Sequence, residues 1–115
     1  MGVSGLILAG GKATRMDGAN KALMPFLGHP MISHVIERLS PQVDEILINA
    51  NQDIQNYQPF NLPVLADGIS EFPGPLAGLH AGLKASQHEW ILCVPCDSPL
   101  LPSNLARHLM QAAIR

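Results

Sequence analysis

Residues able to do chemistry cluster at four places in this 115-residue chain. In GGKATRMDGANK, residues 10–21, Gly10 and Gly11 precede Lys12, Arg15 and Lys21, so three of the seven basic residues fall within ten positions. Glycine lets backbone approach a phosphate closely, and exposed N–H groups with Lys and Arg offset its charge. The stretch lacks GxxxxGK[ST] and the third glycine of GxGxxG. Its residues alone therefore fit a phosphate cradle and a solvated basic loop equally. Asn49, Asp67 and Asp97 mark the other three places. Asp97 follows the apolar run EWILCVPC, and a carboxylate on so rigid an element suits Mg²⁺, which binds through one or two carboxylates plus substrate phosphates. The sequence DSP is also good turn chemistry; a basic glycine loop at a neighbouring strand end favours the metal. Cys93 and Cys96 form a CxxC without the second pair that zinc requires. Pro95 between them, and a strand in place of a helix start, argue for inert buried thiols. The five histidines, at 29, 34, 80, 88 and 108, are scattered and read as core or surface residues, and Trp90 as core.

These residues need elements to hold them. SGLILA (4–9) reads as a buried strand and residues 10–20 as a loop; Pro25 interrupts the apolar stretch 21–27, and Gly28-His29 is a turn. Pro30 suits a helix's first turn, with Met31, Ile32, Val35, Ile36 and Leu39 on one face and Ser40-Pro41 as its end. Residues 43–50 form a second strand that closes in the polar run Asn49–Asn51, 52–61 are irregular or weakly helical, and 62–67 form a third strand. After a loop at 68–74, Pro75 starts a helix to about Gln87 with Leu76, Leu79 and Leu83 as its apolar face. Gly74, Gly78 and Gly82, four residues apart, let that helix sit close to a neighbour. Residues 89–96 are a fourth strand, and a last helix follows Pro102 or a Ser103 cap, with Leu105 and Leu109 on one face. Strands alternating with helices imply βαβ units: an α/β fold, a mostly parallel sheet with helices on both faces. The polar groups then lie just past the strand ends, where open parallel sheets bind ligands, and define one site.

Composition sets the bounds. The length allows one domain, residues 1–115. Nine acidic against seven basic residues, net −2, lack the basic excess of a nucleic-acid-binding protein. No apolar run reaches the ~18 residues of a membrane span, and the N-terminus lacks a signal peptide's basic flank and cleavage site. Two cysteines make no disulfide scaffold, so the expected location is cytoplasmic. Charged residues are 14% of the chain against roughly 25% in an average domain, which suggests apolar surface for a partner or further chain to cover.

LAGGKATRM at 8–16 followed by Lys21, PGPLAGL at 73–79 and PCDSPLLP at 95–102 together resemble the molybdenum cofactor guanylyltransferases, in order and across almost the whole chain. The first motif occurs, in variants, in many nucleotidyltransferases; the three together point to the molybdopterin branch. The resemblance implies a Rossmann-like nucleotidyltransferase fold and a magnesium-dependent transfer of GMP from GTP to the terminal phosphate of molybdenum-molybdopterin, releasing pyrophosphate. By the same resemblance Leu8, Ala9, Gly10 and Gly11 line the nucleotide with backbone groups, and Lys12 belongs to that loop. Lys21 binds the nucleotide, Asn49 and Asp67 contact it, Arg15 neutralises the triphosphate and Asp97 holds Mg²⁺. Arg15, Lys21 and Asp97 are thus the expected catalytic residues.

Two departures stand out. Where the family often has RMGGxDK this chain has RMDGANK: Asp17 replaces a glycine and is expected to face solvent, and Asn20 replaces an acid. Family members also continue past Arg115 with the elements that supply most of the molybdopterin side, so the chain reads as truncated at its C-terminus. The alternatives are a GTP-binding fragment without turnover, or a related enzyme using CTP or a sugar-1-phosphate acceptor. The expected interactions are self-association or contact with cofactor-biosynthesis proteins.

Overall fold

The computed structural model describes residues 2–9, 15–16, 19–67 and 76–113. In chain order the elements are β1 (Val3–Leu8), the two-residue strands β2 (Arg15–Met16), β3 (Ala19–Asn20), β4 (Pro25–Phe26) and β5 (His29–Pro30), α1 (Met31–Leu39), β6 (Glu45–Asn49), β7 (Val64–Leu65), α2 (Leu76–Ala85), β8 (Trp90–Pro95) and α3 (Leu105–Ala113). Single 3₁₀ segments cover Lys21–Leu23, Ser40–Gln42 and Ile54–Phe60.

Four strands make one parallel sheet in the order β7-β6-β1-β8. Alternation along β1 assigns its two faces. Val3, Ile7 and Ala9 join Ile46, Ile48, Leu92 and Val94 in a core closed by α1 through Ile32, Val35 and Leu39, and by Leu105 and Ala106 of α3. Ile32, Val35 and Leu39 are completely buried, as expected of three apolar residues at helical spacing. On the opposite face, Leu6 and Leu8 lie under Gly78 and Gly82 of α2. Helices therefore cover both faces, as the strand–helix alternation requires.

Helix α2 corrects one expectation. Its inward face is Ala77, Gly78, Ala81 and Gly82, while Leu76 and Leu83 are about half exposed. A side chain at Gly78 would collide with Asn49 Oδ1 and come within 2.9 Å of Leu8 Cδ2; one at Gly82 would come within 2.6 Å of Leu6 Cδ2. The helix lies too near the sheet to turn leucines inward, so the small-residue spacing decides its orientation. On α3 the buried residue is likewise Ala106, with Leu105 packed against the core and Leu109 half exposed.

Smaller differences lie in the loops. The loop predicted over 10–20 contains an antiparallel pairing of Arg15–Met16 with Ala19–Asn20, and a second hairpin, Pro25–Phe26 with His29–Pro30, turns at Leu27 and Gly28. Gly28 takes φ +84°, which glycine adopts freely. His34 contacts the Phe26 carbonyl through Nε2 at 2.5 Å and meets the Phe26 ring edge-on, bracing that hairpin on α1. Pro30 caps α1 instead of lying in its first turn. Among the described residues, no helix is long and apolar enough to cross a membrane.

Candidate functional site

The register of the sheet puts Leu65, Asn49, Leu8 and Pro95 in one row across four parallel strands. Residues following that row share one rim. The chain runs from β1 outward to β6 and β7, then crosses back to β8 on the other side of β1. Helices α1 and α2 therefore leave on opposite faces, and the strand order reverses between β1 and β8, the switch point at whose carboxyl ends doubly wound sheets bind ligands. Ala9 and Asp97 stand at its two sides; the Ala9 N–H donates to Asn49 O (2.8 Å) and the Cys96 N–H to Leu8 O (3.2 Å), tying the loop starts to the sheet.

Asn49 and Asp67, expected as nucleotide contacts, are in direct contact. Asn49 ends β6, is 3% exposed, and donates from Nδ2 to Leu65 O (3.1 Å) and Asp67 Oδ1 (2.8 Å). Asn51 donates from Nδ2 to Asp67 Oδ2 (2.9 Å) and accepts from the Asp67 N–H at Oδ1 (2.8 Å). Both carboxylate oxygens are thus gripped by amides. The third strand, expected over 62–67, ends at Leu65 for the same reason. The Ala50 N–H takes the last backbone rung, to Leu65 O (2.9 Å), and the next partner for Asp67 is the Asn51 side chain. Sequence reasoning noted the polar run at 49–51 but gave Asn51 no role; its two-residue offset from Asn49, matching that of Asp67 from Leu65, was the available signal.

Lys21 opens a 3₁₀ turn that Asn20 caps, Asn20 Oδ1 accepting from the Ala22 N–H at 3.0 Å. The Asn20 Nδ2 donates to Asp53 Oδ2 (3.2 Å) and Tyr57 Oη (2.9 Å), and Tyr57 and Ala22 are completely buried. An acid at position 20 would set its carboxylate against that of Asp53; the amide satisfies Asp53 instead. Asn20 is therefore a support that holds the base of Lys21.

Asp97 is exposed at the rim, two residues beyond β8. Burial pushes the Cys96 thiol up to about 11, the charge of Asp97 adds to this, and the Lys21 ammonium opposes it. Burial also raises Cys93. Both thiols stay protonated at neutral pH, the inert state expected of them. The Arg15 backbone pairs with Asn20. Gly10, Gly11, Lys12 and Asp17 lie outside the described residues. Among the described residues no three His, Cys, Asp or Glu converge on a common metal position. One exposed carboxylate at a rim suits magnesium, which keeps its waters and takes phosphate oxygens.

The profile of the MobA-like NTP transferase domain matches residues 5–115. A molybdenum cofactor guanylyltransferase of Ralstonia pickettii is 51% identical over 110 residues, covering 96% of this chain and 54% of that protein. One from Acidovorax sp. is 48% identical over 113 residues, 98% of this chain and 54% of that protein. The chain thus spans about half the length of the curated relatives it matches. Among solved structures, a CMP:2-keto-3-deoxy-manno-octonic acid synthetase complexed with CTP superposes with a TM-score of 0.80 at 21% identity, over 97% of this chain and 47% of that one. A nucleotidyl transferase of Methanothermobacter does so with 0.77 at 20% identity, over 96% and 57%. At such identities these two show the fold: a Rossmann-like nucleotidyltransferase sheet.

Proposed function

The chain belongs to the family of MobA-like NTP transferase domains, and we propose that it forms the nucleotide half of an enzyme that transfers GMP from GTP to molybdenum-molybdopterin. The observation that carries this reading is the Asn49–Asp67 pair just past the carboxyl ends of the strands, within a chain about 50% identical to guanylyltransferases along nearly all its length. Backbone groups of Leu8, Ala9, Gly10 and Gly11 line the nucleotide, with Lys12 in the same loop. Asn49 and Asp67 contact it, and Lys21 meets its phosphates.

The acceptor phosphate attacks the α-phosphorus in line with departing pyrophosphate. Positioning and charge neutralisation supply most of the rate in such transfers. Lys21, Lys12 and Arg15 offset the charge that gathers on the leaving group. Asp97 would hold a divalent ion, magnesium by the hardness of its oxygen donor. Bound there, the ion supplies Lewis-acid neutralisation of phosphate oxygens. Neither cysteine serves as a nucleophile, since burial keeps both thiols protonated. Thiols kept free in this way suit the reducing cytoplasm.

Calorimetric titration with GTP and Mg²⁺, beside CTP and ATP, tests the reading. GTP-selective binding that weakens at least ~10-fold and loses its magnesium dependence in Asp97→Ala is the expected result, as for loss of a contact to a charged group. Binding that prefers CTP moves the reading to a different nucleotide, and GTP binding without turnover on added molybdopterin reduces it to a binding module. A folded chain that binds none of the three overturns it.

A further inference from the structure

Asn51 has no part in the nucleotide contacts proposed above, yet it makes two of the bonds that fix Asp67. Its Nδ2 donates to Asp67 Oδ2 at 2.9 Å, and its Oδ1 accepts the Asp67 N–H at 2.8 Å. Asn49 takes the other carboxylate oxygen at 2.8 Å. We propose that Asn51 is a positioning residue: together with Asn49 it sets the plane and direction in which the Asp67 carboxylate meets the nucleotide. The inference rests on the reading of this rim as the nucleotide site.

The geometry separates the two amides by role. Asn49 is buried, bonded also to Leu65 O, and packed beneath Gly78; replacing it disturbs the sheet as well as Asp67. Asn51 is exposed, beyond the end of β6. Its bonds to Asp67 order an acidic side chain past the last rung of the ladder, where the sheet itself supplies only the Asn49 amide to hold it. A carboxylate has two rotatable bonds, and freezing them when ligand binds costs affinity that a preorganised group does not lose. Each gripped oxygen keeps further acceptor capacity, so Asp67 remains able to accept from hydroxyl or N–H groups of a nucleotide.

A double-mutant cycle read by GTP–Mg²⁺ calorimetry tests this, with a urea unfolding curve for each variant. Asn51→Ala is expected to weaken GTP binding roughly 10-fold, the size of a lost bond to a charged group, with little change in stability. In an Asp67→Ala background the same substitution should cost almost nothing further, because its effect passes through Asp67. Asn51→Asp keeps the acceptor for the Asp67 N–H but turns the donor into a carboxylate facing Asp67, and should bind more weakly than Asn51→Ala. A merely structural rung would reverse that order. Equal losses in both backgrounds, or wild-type affinity in Asn51→Asp, overturn the inference and leave the site reading in place. Unchanged binding in Asp67→Ala removes Asp67 from the site and Asn51 with it, though GTP binding by the chain stands. Absence of GTP binding by the folded wild-type chain overturns both.

Discussion

The two ends of the central sheet both carry polar clusters, and in the sequence they look alike. At the amino end Ser4, completely buried, bridges Glu45 Oε2 (2.6 Å) and Ser86 Oγ (2.7 Å). The same Glu45 oxygen accepts the Gln87 N–H at 2.9 Å, and Asp44 accepts the Val3 N–H at 2.7 Å. Ser86 Oγ accepts the His88 N–H at 3.2 Å, and its single proton goes either to Ser4 Oγ or to the His88 carbonyl, 3.2 Å away. The named groups of this rim answer one another within the chain, whereas the Trp90 Nε1 at the start of β8 is buried without a hydrogen-bond partner. At the carboxyl end the same kinds of residue are less completely answered: Asp67 is gripped but keeps acceptor capacity, and Asp97 is exposed. Polar residues at strand ends therefore do not by themselves mark a site. Their degree of internal satisfaction separates a clasp from a binding rim.

Helix α2 should show the largest effect, because it reaches both rims: Gly78 packs on Asn49 at one, and Ser86, just past the helix end, enters the network at the other. Gly78→Ala brings a Cβ onto the Asn49 amide, whose Nδ2 is already committed to Leu65 O and Asp67. We expect about 2 kcal/mol lost in urea unfolding, within the range for overpacking a close contact, together with weaker GTP binding. Gly82→Ala is the control. Its Cβ would come within 2.6 Å of Leu6 Cδ2, the tip of a completely buried side chain that has to shift, and the helix-propensity gain of up to about 1 kcal/mol should leave a loss smaller than that at Gly78. Equal losses from the two would show that α2 is merely crowded everywhere and that Asn49 is nothing special.

Ser4→Ala should come next and should touch one rim alone. It removes a buried hydroxyl that answers both Glu45 and Ser86, while the Gln87 and His88 N–H groups still answer those partners. About 1 kcal/mol of stability is the expected loss, a typical net hydrogen bond, with GTP affinity unchanged. A drop in GTP affinity without a drop in stability would erase the distinction between the ends.

The sheet, its parallel sense and the polar residues that follow β6, β7 and β8 were legible in the sequence, since apolar runs ending in Asn or Asp carry both messages at once. The leucines of α2 misled because hydropathy ranks Leu76, Leu79 and Leu83 above Ala77, Gly78, Ala81 and Gly82. Distance between layers, which no residue scale records, decided the matter, and the glycines at four-residue spacing were the trace of it. The family pattern singles out Asn49, Asp67, Lys21 and Asp97, but what holds Asn49, Asp67 and the turn of Lys21 does not follow from that pattern. Asn20 looked like a lost acid and is a bracket between Lys21, Asp53 and Tyr57. Asn51 looked like part of a polar run, because its bond partner is sixteen residues away across a strand pairing.

The smallest effect is the pH dependence of the closed rim. The Ser4 hydroxyl chiefly, then the Gln87 N–H, hold the Glu45 carboxyl below its ordinary value of 4.5; the His88 ring, 3.8 Å away, adds to this, and partial burial opposes it. A carboxyl whose folded value lies below its unfolded one binds fewer protons folded than unfolded. Its contribution to stability is therefore complete above about pH 4.5 and is lost as pH falls through the lowered folded value. Urea unfolding of wild type and Glu45→Gln across pH 3–7 should show the wild type ahead at neutral pH and the gap narrowing on the acid side, while GTP binding at pH 7 stays the same for both. A gap that stays constant down to pH 3 would mean that the carboxylate charge contributes nothing there, and the amino-end clasp would then rest on its neutral hydrogen bonds alone. Either result leaves the carboxyl rim untouched, because among the described residues no hydrogen bond of the Glu45 network reaches Asp67 or Asp97.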